Sequence, residues 1–277
     1  MKIRKLLAGF AGSILFAASA QAEIKIGVIY SATGPGASVG MPQQRLMPVL
    51  PTTLGGEKVR YIELDDASDT TTAAKNAKKL TTENAIDVLV GPSLTTSSLA
   101  VLDVIAESGT PMISLAAGAA IVDPIDAKRT WAFKTPQSDA MMVALIVEHM
   151  AKSGSKRVGF IGVNDAYGEG WWRAFSKLAE GANIAIVGNE RYARTDTSVT
   201  GQILKLLANT PDTVFIASFG TPAVLPQAAL AERGFKGRVY QTHGVANNDF
   251  LRLGGKNVEG TLLPSGPVLV VEQLPAD

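Results

Sequence analysis

The hydroxyl-rich segment Gly91–Ser98 has the residue types of a site for a carboxylate or another anion. It reads GPSLTTSS and stands between a strand-like run and a helical pattern. Ser93 and Thr95 would therefore lie beside the free backbone N–H groups at the start of a helix. A single hydroxyl here is more often an ordinary helix cap, and Ser97 is the candidate cap residue. The number of hydroxyls in one turn favours ligand contact, and no G-x-S-x-G pattern indicates a serine nucleophile.

A second loop approaches a dinucleotide-binding fingerprint. The glycines of Gly34–Gly40 follow the first strand-like run, and the acids Asp65–Asp66 end the next one. The third glycine stands one position late for G-x-G-x-x-G, and Pro35 removes an N–H group that could face a phosphate. A turn whose backbone passes close to a small ligand explains the glycines better. A nucleotide-dependent oxidoreductase stays a remote alternative.

Three further loops follow strand-like runs. Ile113–Ala120 reads ISLAAGAA, and its small side chains leave room for a ligand or for tight loop packing. Asn164–Gly170 reads NDAYGEG, and the ring of Tyr167 would close over a ligand or pack on its own lobe. His243 stands directly after a predicted strand, on the edge where ligands bind in α/β sheets. His149 lies in an apolar helix and is interpreted as a core or hinge residue.

The composition excludes several classes of site. The chain has 277 residues, 46% hydrophobic and 18% charged, which is typical of a globular protein. It has no cysteine and two histidines, so we expect neither a disulfide framework nor a metal site, and no cofactor is predicted. The net charge is +1, and without Lys2, Arg4 and Lys5 the chain has 23 basic and 25 acidic side chains. No basic field is present that would attract nucleic acid.

The N-terminus has the pattern of an export signal. Lys2 and Arg4 precede an apolar run, Leu6–Ala18, which at 13 residues is short for a membrane span. Ala20–Ala22 then reads AQA, which matches the small-residue cleavage pattern. The sequence predicts a signal peptide over residues 1–22, removed near Ala22, and a periplasmic protein.

Strand-like runs alternate with helical patterns along the rest of the chain. The runs are Ile24–Tyr30, Val59–Leu64, Ile86–Val90, Pro111–Leu115, Arg157–Gly162, Ile184–Val187, Thr213–Ala217 and Arg238–Thr242. This rhythm predicts an α/β protein with parallel sheets covered on both faces. Eight strands are more than one sheet of ordinary size contains. The alternation of strands and helices also becomes irregular near Pro136. We therefore expect two doubly wound lobes with a cleft between them.

The loosened alternation near Pro136 also sets the expected lobe boundaries. Lobe 1 spans residues 23–136, lobe 2 spans 137–264, and 265–277 returns towards lobe 1. Pro267–Val271 is predicted to be a strand. A chain that ends there leaves lobe 1 incomplete, so a C-terminal truncation is expected.

Six motifs, in order behind the export signal, carry a resemblance to a known family. They read IKIGVIYSATGP, YIELDDASD, VLVGPSLTTSS, TPMISLAA, NDAYGEGW and HGVANNDFL. The chain resembles the Leu/Ile/Val-binding type of ABC-transporter solute-binding protein from Ile24 to its end. The resemblance implies the type I periplasmic binding fold, in which two lobes close on a ligand. It also implies binding without catalysis, a monomer, and an ABC permease as partner.

The resemblance also implies ligand positions. They fall on Val39, Thr95, Ala116, Ala117, Gly118, Tyr167, Phe219 and His243. In the amino-acid binders of the family, the position of Thr95 holds the ligand's carboxylate. The positions of Gly118 and His243 usually hold a hydroxyl and an acid that bind the ammonium group, and both acceptors are missing here. The expected ligand is therefore either a branched-chain type of amino acid or a related acid without the amine, aromatic acids included. An exported ligand sensor with the same fold is the alternative to transport.

Overall fold

The computed structural model describes residues 23–274, and the predicted signal peptide lies outside this range. The strands are β1 Glu23–Tyr30, β2 Thr53–Leu54, β3 Glu57–Asp65, β4 Val88–Val90, β5 Met112–Ser114, β6 Ala132–Lys134, β7 Arg157–Val163, β8 Ala185–Tyr192, β9 Thr213–Ala217 and β10 Arg238–Gln241. The α-helices are α1 Ala37–Leu46, α2 Thr70–Thr82, α3 Thr95–Ala100, α4 Leu102–Ser108, α5 Asp139–Lys152, α6 Ala166–Gly181, α7 Thr200–Ala208, α8 Val224–Glu232 and α9 Asn248–Gly254.

The first half of the chain forms a six-stranded sheet in the order β2-β3-β1-β4-β5-β6. All of its pairings are parallel except β2 with β3, which is antiparallel. The inner strand β1 is buried from Ile26 to Tyr30, as expected for an apolar run covered on both faces. Ala73, Ala77 and Leu80 of α2 are fully buried on one helix face, as their spacing predicts.

The second half forms a four-stranded parallel sheet in the order β10-β9-β7-β8. Its core contains fully buried aromatic rings from two strands and one helix: Phe160, Trp171, Phe175 and Phe215. Phe215 lies edge-on to the other three, with ring centroids 5.2 to 5.8 Å apart. Edge-to-face pairs of this kind stabilise a core beyond the area they bury. This packed core therefore fixes the strands from which the loops at the sheet edge extend.

Two local expectations are wrong. Ser97 is not a helix cap, because α3 already begins at Thr95, after Leu94 in extended conformation. Pro267–Val271 is not a strand, because Pro267–Gln273 forms a 3-10 helix. Among the described strands none pairs with this segment, and Val268 is 86% exposed. An apolar run without a neighbouring strand has no ladder to join, so local hydrogen bonds decide its conformation.

The parallel strands decide where a site is placed. In each sheet they end at the same edge, so the loops that follow them converge. The chain passes from the first sheet to the second between β6 and α5. None of the helices in the described range is long and apolar enough to cross a membrane.

Candidate functional site

A cavity of about 340 Å³ lies between loops that follow the strands of both sheets. Eight of the predicted ligand residues line it: Val39, Ser93, Thr95, Ala116, Ala117, Tyr167, Phe219 and His243. Several other lining residues were not among the predicted ligand positions: Ser38, Pro42, Gln43, Leu115, Pro136 and Asn247. The volume lies near the lower end of the range for small-molecule sites, about 300–1,000 Å³. The arrangement is therefore suited to one compact ligand.

The hydroxyls after β4 do not have equal roles. Ser93 accepts a hydrogen bond from the Ser31 backbone N–H at 3.1 Å and donates its own proton to Gln43 Oε1. Ser98 is paired with Ser114 at 2.7 Å. Thr95 Oγ1 is buried at the cavity and has no hydrogen-bond partner among the described residues. Thr95 is therefore the hydroxyl that can donate to a ligand, because Ser93 has already committed its proton.

A second unpartnered polar atom, His243 Nδ1, comes from the loop after β10. It is buried and has no hydrogen-bond partner among the described residues. The His243 ring lies 5.6 Å from the Trp171 ring. Burial, helped by the positive charge of Lys134, lowers the pKa of His243 to about 4. The imidazole is therefore neutral at pH 7 and can either donate or accept one hydrogen bond at a ligand.

The depressed pKa of His243 predicts a pH dependence of stability. Between the ordinary histidine pKa of about 6.5 and the folded value of about 4, the unfolded chain binds more protons than the folded one. The free energy of unfolding should fall as the pH drops through this window and stop falling, for this group, below it. We expect the wild type to lose more stability than His243→Gln over the window, measured by urea unfolding. A difference between the two proteins that is independent of pH would contradict this.

Two aromatic rings form a wall of the cavity. Tyr167 and Phe219 meet edge to face, with centroids 5.0 Å apart. The Tyr167 hydroxyl donates to Thr242 Oγ1 at 2.8 Å, and Thr242 in turn donates to the Ser218 carbonyl. Burial raises the pKa of Tyr167, so the phenol stays protonated. Because its hydroxyl is already bonded within the protein, Tyr167 offers a ligand its ring.

Residues outside the cavity hold this wall. Asp165 caps α6 by accepting hydrogen bonds from the Tyr167 and Gly168 backbone N–H groups at 2.8 and 3.2 Å. Its other carboxylate oxygen lies 3.0 Å from Arg194 Nε. The Arg194 guanidinium lies over the Phe219 ring, 5.5 Å from the centroid. An aspartate directly before a helical pattern, such as Asp165, is a recognisable N-cap signal in the sequence. Arg194 lies in a loop, and no local sequence pattern predicts its contact with Phe219.

Gly118 is the one predicted ligand residue that does not line the cavity. It lies behind Thr95: a Cβ atom at this position would stand 2.4 Å from Thr95 Cγ2 and 2.9 Å from Thr95 Oγ1. A hydroxyl-bearing side chain at this position would therefore collide with Thr95. The missing side chain leaves room for Thr95, which lines the cavity.

Two hydrogen bonds join the loops of the two sheets beside the cavity. Ser38, on α1, accepts from the Thr221 backbone N–H at 3.1 Å. Asp139, at the start of α5, accepts from the Ala119 backbone N–H at 3.2 Å. Gly220 is essential to the first contact, since a Cβ atom there would stand 2.2 Å from Ser38 Oγ. The structure thus has the loops of both sheets in direct contact.

The charges around the cavity set its electrostatics. Among the described residues that line it, none carries a carboxylate. Burial raises the pKa of Asp139, which lies outside the lining, and lowers the pKa of the Lys134 amino group. Within residues 23–274 no group of three or more acids and histidines is placed to hold a metal ion.

The glycine loop has a structural role. Asp65, the acid expected at a ribose in the dinucleotide hypothesis, instead accepts hydrogen bonds from the Ala32 and Ala67 N–H groups and from the Thr33 hydroxyl. A Cβ atom at Gly40 would stand 2.2 Å from the Ser31 carbonyl oxygen. The glycines allow backbone segments to approach closely, and the acid binds the loop.

The sequence of most of the described range matches one family model. The model describes a periplasmic binding protein and matches residues 23–269. The chain belongs to the periplasmic binding protein family. A Leu/Ile/Val-binding protein homolog from Brucella melitensis is 27% identical over 260 residues, which cover 91% of this chain and 70% of that protein. The resemblance to the Leu/Ile/Val-binding type is confirmed.

Solved structures of ligand-binding proteins agree with this fold. An extracellular ligand-binding receptor from Rhodopseudomonas palustris HaA2 is 52% identical, with a TM-score of 0.91, covering 93% of this chain and 71% of that one. An ABC-transporter solute-binding protein from R. palustris, solved in complex with 4-hydroxybenzoate, is 21% identical, with a TM-score of 0.77, covering 85% and 66%. The expected type I periplasmic binding fold is confirmed.

Proposed function

We propose that this periplasmic binding protein is the solute-binding component of an ABC importer for a small hydroxylated aromatic acid. The observation that carries the proposal is a pair of buried polar atoms, Thr95 Oγ1 and His243 Nδ1, that have no hydrogen-bond partner within residues 23–274 and belong to residues lining a cavity with an aromatic wall. A buried polar atom without a partner is costly, so such atoms in a cavity point to a polar group on the ligand.

Thr95 is the proposed contact for the carboxylate. Its hydroxyl is a donor with no acceptor among the described residues, and a carboxylate accepts through two oxygens. A hydrogen bond to a charged group is worth about 1.5–3 kcal/mol. Thr95 therefore gives the ligand's anionic end a defined place.

The ligand we propose lacks an α-ammonium group. Among the lining residues that the structure describes none carries a carboxylate, and His243 is neutral at pH 7 because burial lowers its pKa. An ammonium group buried without a charged partner would cost several kcal/mol. An acid without the amine avoids this cost. His243 is then free to bond a distal hydroxyl.

The apolar part of the lining supports an aromatic ligand. Tyr167 and Phe219 present rings, and Val39, Pro42 and Leu115 complete the apolar surface. A flat ring packs well on such a wall, and aromatic pairs gain about 0.5–1.5 kcal/mol beyond area burial. The solute-binding protein of the same fold that is in complex with 4-hydroxybenzoate suggests a suitable probe.

The transport role implies movement of two lobes. In this proposal the lobes, residues 23–136 and 137–264, close on the acid and form the Ser38–Thr221 and Ala119–Asp139 contacts. The closed monomer then docks on a permease in the inner membrane. Export through the signal peptide over residues 1–22 would place the protein in the periplasm.

Thermal unfolding of the chain tests the proposal. The probes are 4-hydroxybenzoate, 4-hydroxycinnamate, 4-methylpentanoate and leucine. A ligand at 100 times its dissociation constant adds about 2.7 kcal/mol, which raises the unfolding temperature by several degrees. We expect one of the two hydroxylated aromatic acids to give this shift and leucine to give none. A shift with leucine alone would show that the amine has an anchor and would overturn the proposal.

A further inference from the structure

A chain of hydrogen bonds begins beneath the cavity and ends at its lining. The buried Asp66 carboxylate accepts from the Ser31 hydroxyl at 2.6 Å, and the Ser31 backbone N–H donates to Ser93 Oγ at 3.1 Å. Ser93 donates its hydroxyl proton to Gln43 Oε1. Asp66 and Ser31 are fully buried, and Ser93 is 4% exposed. The chain is therefore anchored in the interior.

The direction of these bonds orients the Gln43 amide. The hydroxyl proton of Ser93 has one acceptor among the described residues, Gln43 Oε1. If the amide were turned over, Ser93 Oγ would accept from two donors and its proton would be left without an acceptor. A buried donor without an acceptor costs more free energy than an ordinary hydrogen bond contributes to stability. Gln43 is thus held with its oxygen towards Ser93.

We infer that Gln43 is a specificity-determining residue whose amide NH₂ donates to an oxygen of the bound acid. Gln43 lines the cavity, and with Oε1 committed to Ser93 its Nε2 donors remain for a ligand. Ser93 is bonded to Gln43 and stands two residues before Thr95, the first residue of α3, so Gln43 and Thr95 serve the same end of the cavity. The inference rests on the proposed function and adds a reason for preferring an anion with two acceptor oxygens.

The position also explains why the residue type matters. A glutamate at 43 would still accept the Ser93 proton, but its second oxygen could not donate at neutral pH. It would also place a negative charge beside the ligand's carboxylate. The change Gln43→Glu therefore preserves the internal chain, removes the outward donor and adds a negative charge in its place.

The test compares two probes that differ in one group, 4-hydroxycinnamate and its uncharged amide, 4-hydroxycinnamamide. Their dissociation constants are measured by calorimetry on wild type, Gln43→Glu and Gln44→Glu. Gln44→Glu is the matched control, because it adds the same charge on the same helix. The Gln44 amide donates to the Tyr30 hydroxyl and does not line the cavity. We expect Gln43→Glu to lower the ratio of acid to amide affinity about tenfold or more, and Gln44→Glu to leave it within twofold.

Two results would overturn the inference. The first is an equal loss of affinity for both probes in Gln43→Glu, which would indicate a merely structural role of Gln43. The second is an atomic-resolution crystal structure of the free protein in which Nε2, rather than Oε1, faces Ser93. Failure of the wild type to bind either probe would reject the proposed function instead, and the amide orientation in that crystal structure would then decide for or against Gln43 alone.

Discussion

Replacing Thr95 by valine is expected to weaken binding of 4-hydroxycinnamate about 10- to 100-fold. The substitution keeps the shape of the side chain and removes the hydroxyl that we assign to the carboxylate. A hydrogen bond to a charged group is worth about 1.5–3 kcal/mol, and 1.4 kcal/mol corresponds to a factor of ten. Calorimetric titration of both proteins at one salt concentration measures the loss.

The neighbouring threonine supplies the control. Thr96 Oγ1 is also buried without a partner among the described residues, but Thr96 does not line the cavity. Thr96→Val should therefore bind 4-hydroxycinnamate as the wild type does. Equal losses in the two variants would mean that Thr95 has no special contact with the acid.

Gly118→Ala is expected to reduce the affinity for 4-hydroxycinnamate as much as Thr95→Val does, although Gly118 does not line the cavity. The added Cβ atom would stand 2.4 Å from Thr95 Cγ2, so the threonine must turn or its loop must move. Crowding of this kind also destabilises a fold by about 1–3 kcal/mol. Calorimetry gives the affinity, and urea unfolding gives the stability.

Gly201→Ala is the matched substitution, because a Cβ atom at Gly201 meets nothing within 4 Å. It should leave both measurements close to those of the wild type. The double variant Gly118→Ala with Thr95→Val should bind little worse than Thr95→Val alone, since both changes act on one hydroxyl. Additive losses would show that Gly118 affects binding through some other contact.

Much of the fold is readable from the sequence because its signals are local. Short apolar runs such as Ile24–Tyr30 indicate buried parallel strands, and the spacing of Ala73, Ala77 and Leu80 fixes one face of α2. The failure at Pro267–Val271 has the opposite cause. A strand exists only with a neighbour, and an apolar run does not reveal whether a neighbour is present.

The candidate site was predictable where residues directly follow strands. Thr95, Tyr167 and His243 each lie within five residues of the end of a parallel strand, and parallel topology brings these strand ends to the cavity. Gln43 and Ser38 lie on α1 instead, and their place depends on how that helix packs across the sheet edge. Family positions could not show that Gly118 stands behind Thr95, because that is a distance between two loops.

The two contacts between the sheets bear on how long a solute stays bound. Each is a single hydrogen bond from a backbone N–H to a side-chain oxygen, at Ser38 and at Asp139. A bond of this kind contributes about 0.5–1.5 kcal/mol, so the pair contributes about 1–3 kcal/mol together. In the proposed lobe opening, the need to break both bonds lengthens the residence time by about one to two orders of magnitude. In the proposed function these two bonds therefore supply only part of the barrier to release, and the solute's own contacts and the apolar packing of Leu94 and Val39 against the core of the second sheet supply the rest.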